Sequence, residues 1–268
     1  MARTAAFVVN RTRVRAWPRV SERCRTAAAA GGWDPLLLET TADDAGTGLT
    51  HRAVAAGASL VFAMGGDGTV RACAQALAGT PVPLAIVPRG TANLTAQALG
   101  VPAGLEDALG VGFGSHQRLI DLAVADGITY AAMAGIGVDA AVVGATPGRL
   151  KARAGWLAYA AAGTGHALGR RTAFELRLDG AALLSRQARS VVVGNAGLLP
   201  GGFTLLPGAR LDDGLLDVGI LAPSSPLGWA RVAYRIMIGT GPGTRTSRAW
   251  GSTVTVSSRP GASTSPST

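Results

Sequence analysis

Two glycine-containing segments carry the residues that could do chemistry in this chain. The first is Met64-Gly65-Gly66-Asp67-Gly68-Thr69-Val70, which follows a segment typical of a buried strand and opens a helix-like segment. Glycines let a backbone come close to phosphate, and amides at a helix N-terminus point toward the anion. Asp67 would repel a bare phosphate, so it favours a divalent cation between carboxylate and nucleotide. A glycine-rich turn in which Asp67 caps the helix is the alternative.

A second segment of the same kind follows one strand–helix unit later, at Val87-Pro88-Arg89-Gly90-Thr91-Ala92-Asn93-Leu94. Gly90 and Thr91 could contact phosphate or ribose there, and the alternative is an ordinary turn with a Thr or Asn cap. Because adjacent parallel strands end at one edge of a sheet, where α/β sheets bind ligands, we expect the two loops to lie side by side.

The first part of the chain contains the elements that would position these loops. Short apolar segments alternate with helix-like segments, which is typical of a parallel sheet covered by helices. The predicted strands are 5–9, 36–39, 59–64 and 84–87, and the predicted helices are 20–30, 48–56, 69–78 and 91–99. We therefore expect a Rossmann-like α/β nucleotide-binding domain over residues 1–115.

The rest of the chain has closely spaced strands joined by Gly, Asp and Pro turns. Predicted strands are 118–125, 129–134, 173–178, 189–194 and 215–221, with a further strand from 252 and helices at 152–168 and 227–238. This pattern predicts a mostly antiparallel, β-rich domain over residues 116–258. Residues 259–268 are mostly Pro, Gly, Ser and Thr, and we expect a disordered tail.

Composition excludes several classes of protein. The chain has 268 residues, of which 48% are hydrophobic and 15% charged, so it has enough apolar surface for a core and too little charge for general disorder. Two cysteines without metal or disulfide spacing indicate a reducing, cytoplasmic setting. The sequence also predicts no membrane-spanning segment.

The net charge of +9 first indicates a polyanionic partner. Residues 218–268, however, hold five arginines and no acidic residue, so much of the excess lies at the C-terminal end. Nucleic acid is disfavoured as a partner because aromatic residues make up only 5% and no basic segment is interleaved with them.

The motifs together resemble the diacylglycerol kinase catalytic-domain family, whose fold is shared by bacterial lipid kinases and sphingosine kinases and is related to that of NAD kinases. Besides the two loops, the resemblance is carried by Gly135-Ile136-Gly137-Val138-Asp139-Ala140, Asn195, Gly201-Gly202 and the segment 207–218. It covers nearly the whole chain, and it implies an α/β nucleotide-binding kinase domain followed by a β-sandwich domain.

The resemblance implies an ATP-dependent kinase that transfers the γ-phosphoryl group to a lipid hydroxyl, most simply that of diacylglycerol or a related acylglycerol. The lipid substrate would be met at a membrane surface, with peripheral association of the protein. The question whether the protein forms a homodimer is left open. The residues that would bind ATP are Asn10, Thr12, Thr40, Thr41, Gly65, Gly66, Asp67, Gly68, Thr69, Gly90, Thr91 and Asn93.

The resemblance also implies two magnesium sites. Asp67 and Asp121 would belong to the acidic network that holds catalytic Mg²⁺. The Asp213 carboxylate and the carbonyls of Arg210 and Leu215 would hold a second, structural Mg²⁺, in keeping with the preference of hard cations for oxygen ligands. Without the resemblance, the Asp-Asp-Gly at 212–214 would be interpreted as a hairpin turn.

The chain departs from the family pattern at three places. Arg71 and Ala72 stand where Asn and Glu are common, and Leu94 stands where Asp is common. Family members end with an Asp-Gly-Glu motif whose acid accepts the lipid hydroxyl proton, whereas the last carboxylate here is that of Asp217. No base can therefore be named, and we expect a truncated or frameshifted product. Arg71 would either meet phosphate or be solvated.

Two alternatives to a lipid kinase follow. The missing acid favours a nucleotide-binding protein without turnover, and the shared glycine loop leaves NAD kinase as a third hypothesis. His51, His116 and His166 lack metal-ligand spacing and are interpreted as surface or packed side chains. The basic residues that bracket the predicted helix 152–168 would either meet lipid head groups or be solvated; they are Arg149, Lys151, Arg153, Arg170 and Arg171.

Overall fold

The computed structural model describes residues 3–137, 171–179, 184–199, 201–241, 247–248 and 253–259. The chain divides into two compact units, Met1–Ala131 and Ala132–Thr268. Each unit has its own sheets and its own hydrophobic core.

A four-stranded parallel sheet with strand order β2-β1-β3-β4 forms the centre of the first unit. Its strands are β1 (Arg3–Val9), β2 (Trp33–Glu39), β3 (Ala58–Gly65) and β4 (Leu84–Pro88). The helices are α1 (Trp17–Ala30), α2 (Thr47–Ala55), α3 (Asp67–Leu77), α4 (Leu94–Ala98) and α5 (Leu105–Phe113). The predicted parallel α/β fold is confirmed.

The central strands are buried on both faces, as a parallel sheet covered by helices requires. Successive side chains alternate between the faces. On one face Phe7 and Phe62 stack with ring centroids 4.6 Å apart, in the core that includes residues of α1 and α5. On the other face Val8 and Val61 pack in the core that includes residues of α2 and α3.

Helix α5 was not predicted from the sequence. Gly110 and Gly112 lie inside it, and glycine lowers helix propensity by about 1 kcal/mol relative to alanine. Gly112 has a packing reason, because a Cβ at this position would collide with the ring of Phe62. Close packing of α5 on the sheet therefore overrides the weak local preference.

The first unit ends at Ala131 rather than at residue 115. An antiparallel hairpin of β5 (Ala123–Ala125) and β6 (Ile128–Tyr130) extends it, and β6 packs against α3. Of the predicted strand 118–125, only the last three residues form a strand. The predicted strand 129–134 is interrupted at Ala131 and Ala132, where the two units meet in sequence.

The described residues of the second unit form two antiparallel sheets. One has the order β12-β11-β10-β7 and the other β13-β8-β9. Their strands are β7 (Met133–Gly137), β8 (Thr172–Leu178), β9 (Leu184–Ala188), β10 (Ser190–Gly194), β11 (Asp217–Leu221), β12 (Ser247–Arg248) and β13 (Val254–Arg259). Phe174 and Leu176 of one sheet share a core with Val191 and Val218 of the other, so the predicted β-sandwich is confirmed.

Strand β9 was missed because its middle residues, Ser185, Arg186 and Gln187, are polar and exposed. Its partner β8 carries the apolar side chains that face the core. Strand β11 begins at Asp217, two residues later than predicted. The predicted helix 152–168 lies outside the described residues. Of the predicted disordered tail 259–268, Arg259 is instead the last residue of β13, where it pairs with Ala173, and residues 260–268 lie outside the described residues.

Helix α6 (Pro226–Met237) confirms the predicted helix 227–238. The Ser225 hydroxyl accepts a hydrogen bond from the Gly228 amide at 3.1 Å, and Pro226 occupies the first turn, where its missing amide costs nothing. Val232 and Ile236 pack on the core beside β10. In the part of the chain that the structure describes, no helix is long and apolar enough to cross a membrane.

Both cysteines are buried as free thiols. Burial raises the pKa of Cys24 and of Cys73 to about 11, with the largest effect from desolvation. At neutral pH both side chains are therefore uncharged thiols that pack as small apolar groups.

Candidate active site

The loops after all four parallel strands leave the sheet at one edge. Val9 at the end of β1 is in register with Glu39 of β2 and Met64 of β3, and Gly65 is in register with Pro88 of β4. Hydrogen bonds continue past the strand ends: the Asn10 amide donates to Met64 O at 2.9 Å, and the Thr40 amide donates to Val9 O at 2.9 Å. The sheet thus places the predicted nucleotide residues of four loops along one edge.

The first glycine loop leads directly into α3. Gly66 is the N-cap residue, and its carbonyl accepts hydrogen bonds from the amides of Thr69 and Val70 at 3.0 and 3.1 Å. Asp67 and Gly68 are the first two helical residues, so their amides lie in the first turn, where an α-helix has no internal acceptor for them. The positive end of the α3 dipole is at this loop, an arrangement that suits a phosphate.

The second glycine loop touches the first. A Cβ placed on Gly90 would lie 2.5 Å from the Cα of Gly66, and a Cβ on Gly66 would lie 3.1 Å from the Cα of Gly90. The Arg89 amide also donates to Gly65 O at 2.7 Å. Glycine at both positions allows the two backbones to meet; a side chain at position 90 would collide with Gly66, and one at position 66 would crowd Gly90.

Asp67 does not cap its own helix. It is the first residue of α3, and its Oδ1 accepts a hydrogen bond from the Thr95 amide in the first turn of α4 at 3.3 Å. The interpretation of Asp67 as the N-cap of α3 is therefore wrong, because Gly66 occupies that position. This hydrogen bond holds the half-buried carboxylate at the junction of the two glycine loops. The second oxygen of the carboxylate, Oδ2, is a further acceptor.

Asn93 is engaged within the second loop. Its Oδ1 accepts from the Gly90 amide at 2.8 Å and its Nδ2 donates to Gly90 O at 2.9 Å, while its backbone adopts a left-handed conformation with φ of 48°. Asparagine tolerates this conformation better than most residues. The side chain of Asn93 therefore shapes the loop, and Thr91 in the same loop is exposed.

The other predicted nucleotide residues lie after β1 and β2. Asn10 Oδ1 accepts hydrogen bonds from the Thr12 amide and hydroxyl at 3.1 and 2.7 Å. Thr41 Oγ1 accepts from the Asp44 amide at 3.1 Å. These contacts fix the loop conformations, and the exposed Thr12 and Thr41 remain accessible at the same edge.

Asp121 and the segment 210–215 contain the remaining residues that are predicted to bind Mg²⁺. Asp121 is half-buried in the segment before β5. Asp213 is exposed, and its Oδ1 accepts from the Leu215 amide at 3.2 Å across Gly214, whose φ is +71°. Residues 212–214 do form a turn, but it is not a tight hairpin turn: it lies within the connection 195–216 between β10 and β11 and does not join two paired strands directly.

The donor types on these segments fit a hard divalent cation, since carboxylate and carbonyl oxygens are what Mg²⁺ prefers. Asp213 has a second carboxylate oxygen besides the one that accepts from Leu215. Within the described ranges, the structure contains no group of three or more His, Cys, Asp or Glu side chains placed to hold a metal. Any cation here would therefore also need backbone, ATP or water oxygens as ligands.

Sequence reasoning missed Thr95, the residue that orients Asp67. Its side chain is buried and its amide lies 28 positions further along the chain. The position of Thr95 two residues after Asn93, in the first turn of a helix, was the one available signal.

The structure also places Arg71 in α3 as a half-buried residue, and His51 and His116 as exposed ones. Of the basic residues 149–171, only Arg171 is described, and its guanidinium donates to Ala222 O at 2.9 Å.

Replacing Gly90 by alanine should lower the free energy of unfolding by about 1–3 kcal/mol, because the new methyl group would overlap Gly66 and the Asn93 side chain. Urea unfolding followed by circular dichroism measures this change. Thr91→Ala, which shortens an exposed side chain of the same loop, should change it by less than about 0.5 kcal/mol. Equal stability of Gly90→Ala and the parent protein would show that the two loops are not in contact in solution.

The architecture defines a class of protein: a parallel α/β unit with two glycine loops at one edge, followed by an antiparallel sandwich. Residues 5–125 match the family model described as "Diacylglycerol kinase catalytic domain". Residues 132–257 match the one described as "YegS C-terminal NAD kinase beta sandwich-like domain". The two matches correspond closely to the two compact units.

Similar proteins support the same assignment. A "Probable lipid kinase YegS-like" of Pseudomonas aeruginosa (strain UCBPP-PA14) is 36% identical over 212 residues, which are 75% of this chain and 68% of that protein. One of the same name from Pseudomonas fluorescens is 38% identical over 210 residues, with the same shares. The chain belongs to the diacylglycerol kinase catalytic-domain family, a family of lipid kinases.

A solved structure agrees on the fold. The crystal structure of a diacylglycerol kinase from Bacillus anthracis str. Sterne matches with a TM-score of 0.73 and 24% identity, over 97% of this chain and 87% of that one. The family-model matches and the similar sequences confirm the resemblance stated from the motifs. None of these matches supports the expectation that the catalytic base is missing.

Proposed function

We propose that this protein is an ATP- and Mg²⁺-dependent lipid kinase that transfers the γ-phosphoryl group to a hydroxyl of diacylglycerol or a related acylglycerol. The observation that carries the proposal is the contact of Gly66 with Gly90, which brings the first turn of α3 and the second glycine loop together beside Asp67. Family membership supports phosphoryl transfer to a lipid.

The chain's own groups would bind and orient the triphosphate. Amides of the first turn of α3 would donate to phosphate oxygens, and the dipole of α3 would favour the negative charge. The hydroxyls of Thr12, Thr41 and Thr91, which are exposed at the same edge, would add contacts to phosphate or ribose. Catalysis of this kind consists mainly of positioning and charge stabilisation.

The Thr95 amide holds the Asp67 carboxylate in a fixed orientation, because a hydrogen bond from an amide to a carboxylate is charge-assisted. Asp67 and Asp121 would hold the catalytic Mg²⁺. Asp213 with the carbonyls of Arg210 and Leu215 would hold a structural one. The catalytic ion, when bound, supplies charge neutralisation at the transferred phosphoryl group.

Purified protein incubated with γ-labelled ATP, Mg²⁺ and mixed micelles of diacylglycerol tests the proposal. The expected result is labelled phosphatidate that depends on both Mg²⁺ and lipid. Tight ATP binding in a calorimeter without transfer to any acylglycerol would instead establish a nucleotide-binding protein without turnover. Transfer to NAD in place of lipid would establish an NAD kinase.

A further inference from the structure

Helix α6 is apolar on two opposite faces, and only one of them is buried. Val232 packs into the core of the second unit. Leu227, Tyr234, Met237 and Ile238 are 79%, 61%, 58% and 52% exposed. At 3.6 residues per turn these four side chains project on the side opposite Val232.

The exposed side of α6 is cationic as well as apolar. Arg231 is exposed, and it lies one turn after Leu227 and one turn before Tyr234. Leu227, Arg231, Tyr234, Met237 and Ile238 together are called the outer face of α6. The helix carries no acidic residue, and neither does any other part of residues 218–268. Large exposed apolar groups around a cation are uncommon on a surface that contacts only water.

We propose that the outer face of α6 docks the protein on the surface of an anionic lipid bilayer. The apolar side chains would enter the boundary between head groups and acyl chains, as those of interfacial amphipathic helices do. Tyr234 and Arg231 combine an apolar body with a polar tip, which suits the interface. Arg231 would contact lipid phosphate, whose negative surface potential attracts it.

The helix is formed before it meets a membrane. Ser225 caps its N-terminus, and the Arg235 guanidinium donates to Gly241 O at 3.3 Å just beyond its C-terminus. The inner residues Val232 and Ile236 anchor it in the core. Docking would therefore require little ordering of the chain, which favours binding by a single helix face.

A second copy of the chain is a poorer occupant of the same face. A helix of 12 residues is about 18 Å long, and one face of it falls short of the roughly 800 Å² per partner that stable interfaces bury. A two-fold contact would also bring Arg231 toward Arg231 of the other copy, because such contacts are self-complementary. Anionic phosphate matches the charge of Arg231 instead.

Sedimentation of the full chain with vesicles, in the absence of ATP, tests the docking surface. The protein should bind vesicles of phosphatidylglycerol and phosphatidylcholine at least tenfold more tightly than vesicles of phosphatidylcholine alone. The double variant Leu227→Ser, Tyr234→Ser should reduce binding to the anionic vesicles at least tenfold. Arg231→Glu should reduce it about fivefold or more and weaken its salt dependence.

Two matched controls come from elsewhere on the surface. Leu119→Ser removes an apolar side chain that is 92% exposed in the first unit, and Arg186→Glu reverses an exposed charge on β9. Both should leave vesicle binding unchanged. Thermal unfolding of every variant verifies that the fold is retained.

The proposal builds on the proposed lipid kinase function, yet the two can fail separately. Unchanged vesicle binding by the double variant, or no vesicle binding by the parent protein, overturns the docking surface. A concentration-dependent dimer that the double variant abolishes overturns it as well. Transfer to a dispersed short-chain diacylglycerol without vesicle binding refutes docking alone. Vesicle binding through α6 without any transfer refutes the kinase alone.

Discussion

Replacing Asp67 by alanine should lower kcat/KM for phosphoryl transfer by about 10²–10³-fold while the protein remains folded. The variant removes the carboxylate that lies between the two glycine loops and is oriented by the Thr95 amide. Loss of this single surface-accessible hydrogen bond should change the free energy of unfolding by only about 1 kcal/mol. Initial rates with labelled ATP and diacylglycerol micelles, together with urea unfolding, measure the two effects.

Asp67→Asn separates charge from geometry. Its amide oxygen can still accept from the Thr95 amide, so the loop contact is retained while the negative charge is lost. We expect activity nearly as low as that of the alanine variant. Asp34 lies near the start of β2, at the end of the sheet away from the glycine loops, and its carboxylate is exposed. The control variant Asp34→Ala should therefore be fully active. An Asp67→Asn or Asp67→Ala protein with parental activity would refute a role for this charge in catalysis.

Replacing Gly68 by alanine should weaken ATP binding at least tenfold without destabilising the protein. Apart from its chain neighbours and the backbone of α3 itself, no heavy atom lies within 4 Å of a Cβ built at this position. Gly68 lies in the first turn of α3 and its φ is not in the left-handed region, so alanine should leave stability unchanged or raise it by up to about 1 kcal/mol. The need for glycine would then come from a phosphate lying against the backbone.

Gly110→Ala is the matched control for this experiment. Gly110 is also a helical glycine, and apart from its chain neighbours and the backbone of α5 no heavy atom lies within 4 Å of its Cβ position. This variant should gain similar stability and bind ATP as the parent does. Isothermal titration with ATP and thermal unfolding measure both quantities. If Gly68→Ala retains the parental affinity, the triphosphate does not lie against the first turn of α3.

Much of the first unit could be predicted because its signals are local. The segments that form β1 and β3 are apolar at nearly every position, which a strand buried on both faces requires. Each is followed by Asn or Gly, where the chain leaves the sheet. Parallel strands end at a common edge, so the meeting of the two glycine loops could be expected from their place in the sequence.

The errors arose where the local signals pointed the wrong way. Helix α5 was missed because Gly110 and Gly112 argue against a helix, although close contact with Phe62 requires one of them. Strand β9 was missed because its polar residues face outward and its partner β8 supplies the core. In both cases packing against a distant part of the chain outweighed intrinsic preference.

The sequence alone determined the α/β unit, the β-rich unit after it and the family, and it singled out the candidate residues for the chemistry, because periodicity and glycine motifs act over a few neighbouring residues. Only the tertiary structure decided that Asp67 accepts from Thr95 and that Gly66 touches Gly90, since both contacts join residues far apart in the chain. It also decided which side of α6 is buried. Both sides are apolar in sequence, and only packing against the core leaves Leu227 and Tyr234 exposed.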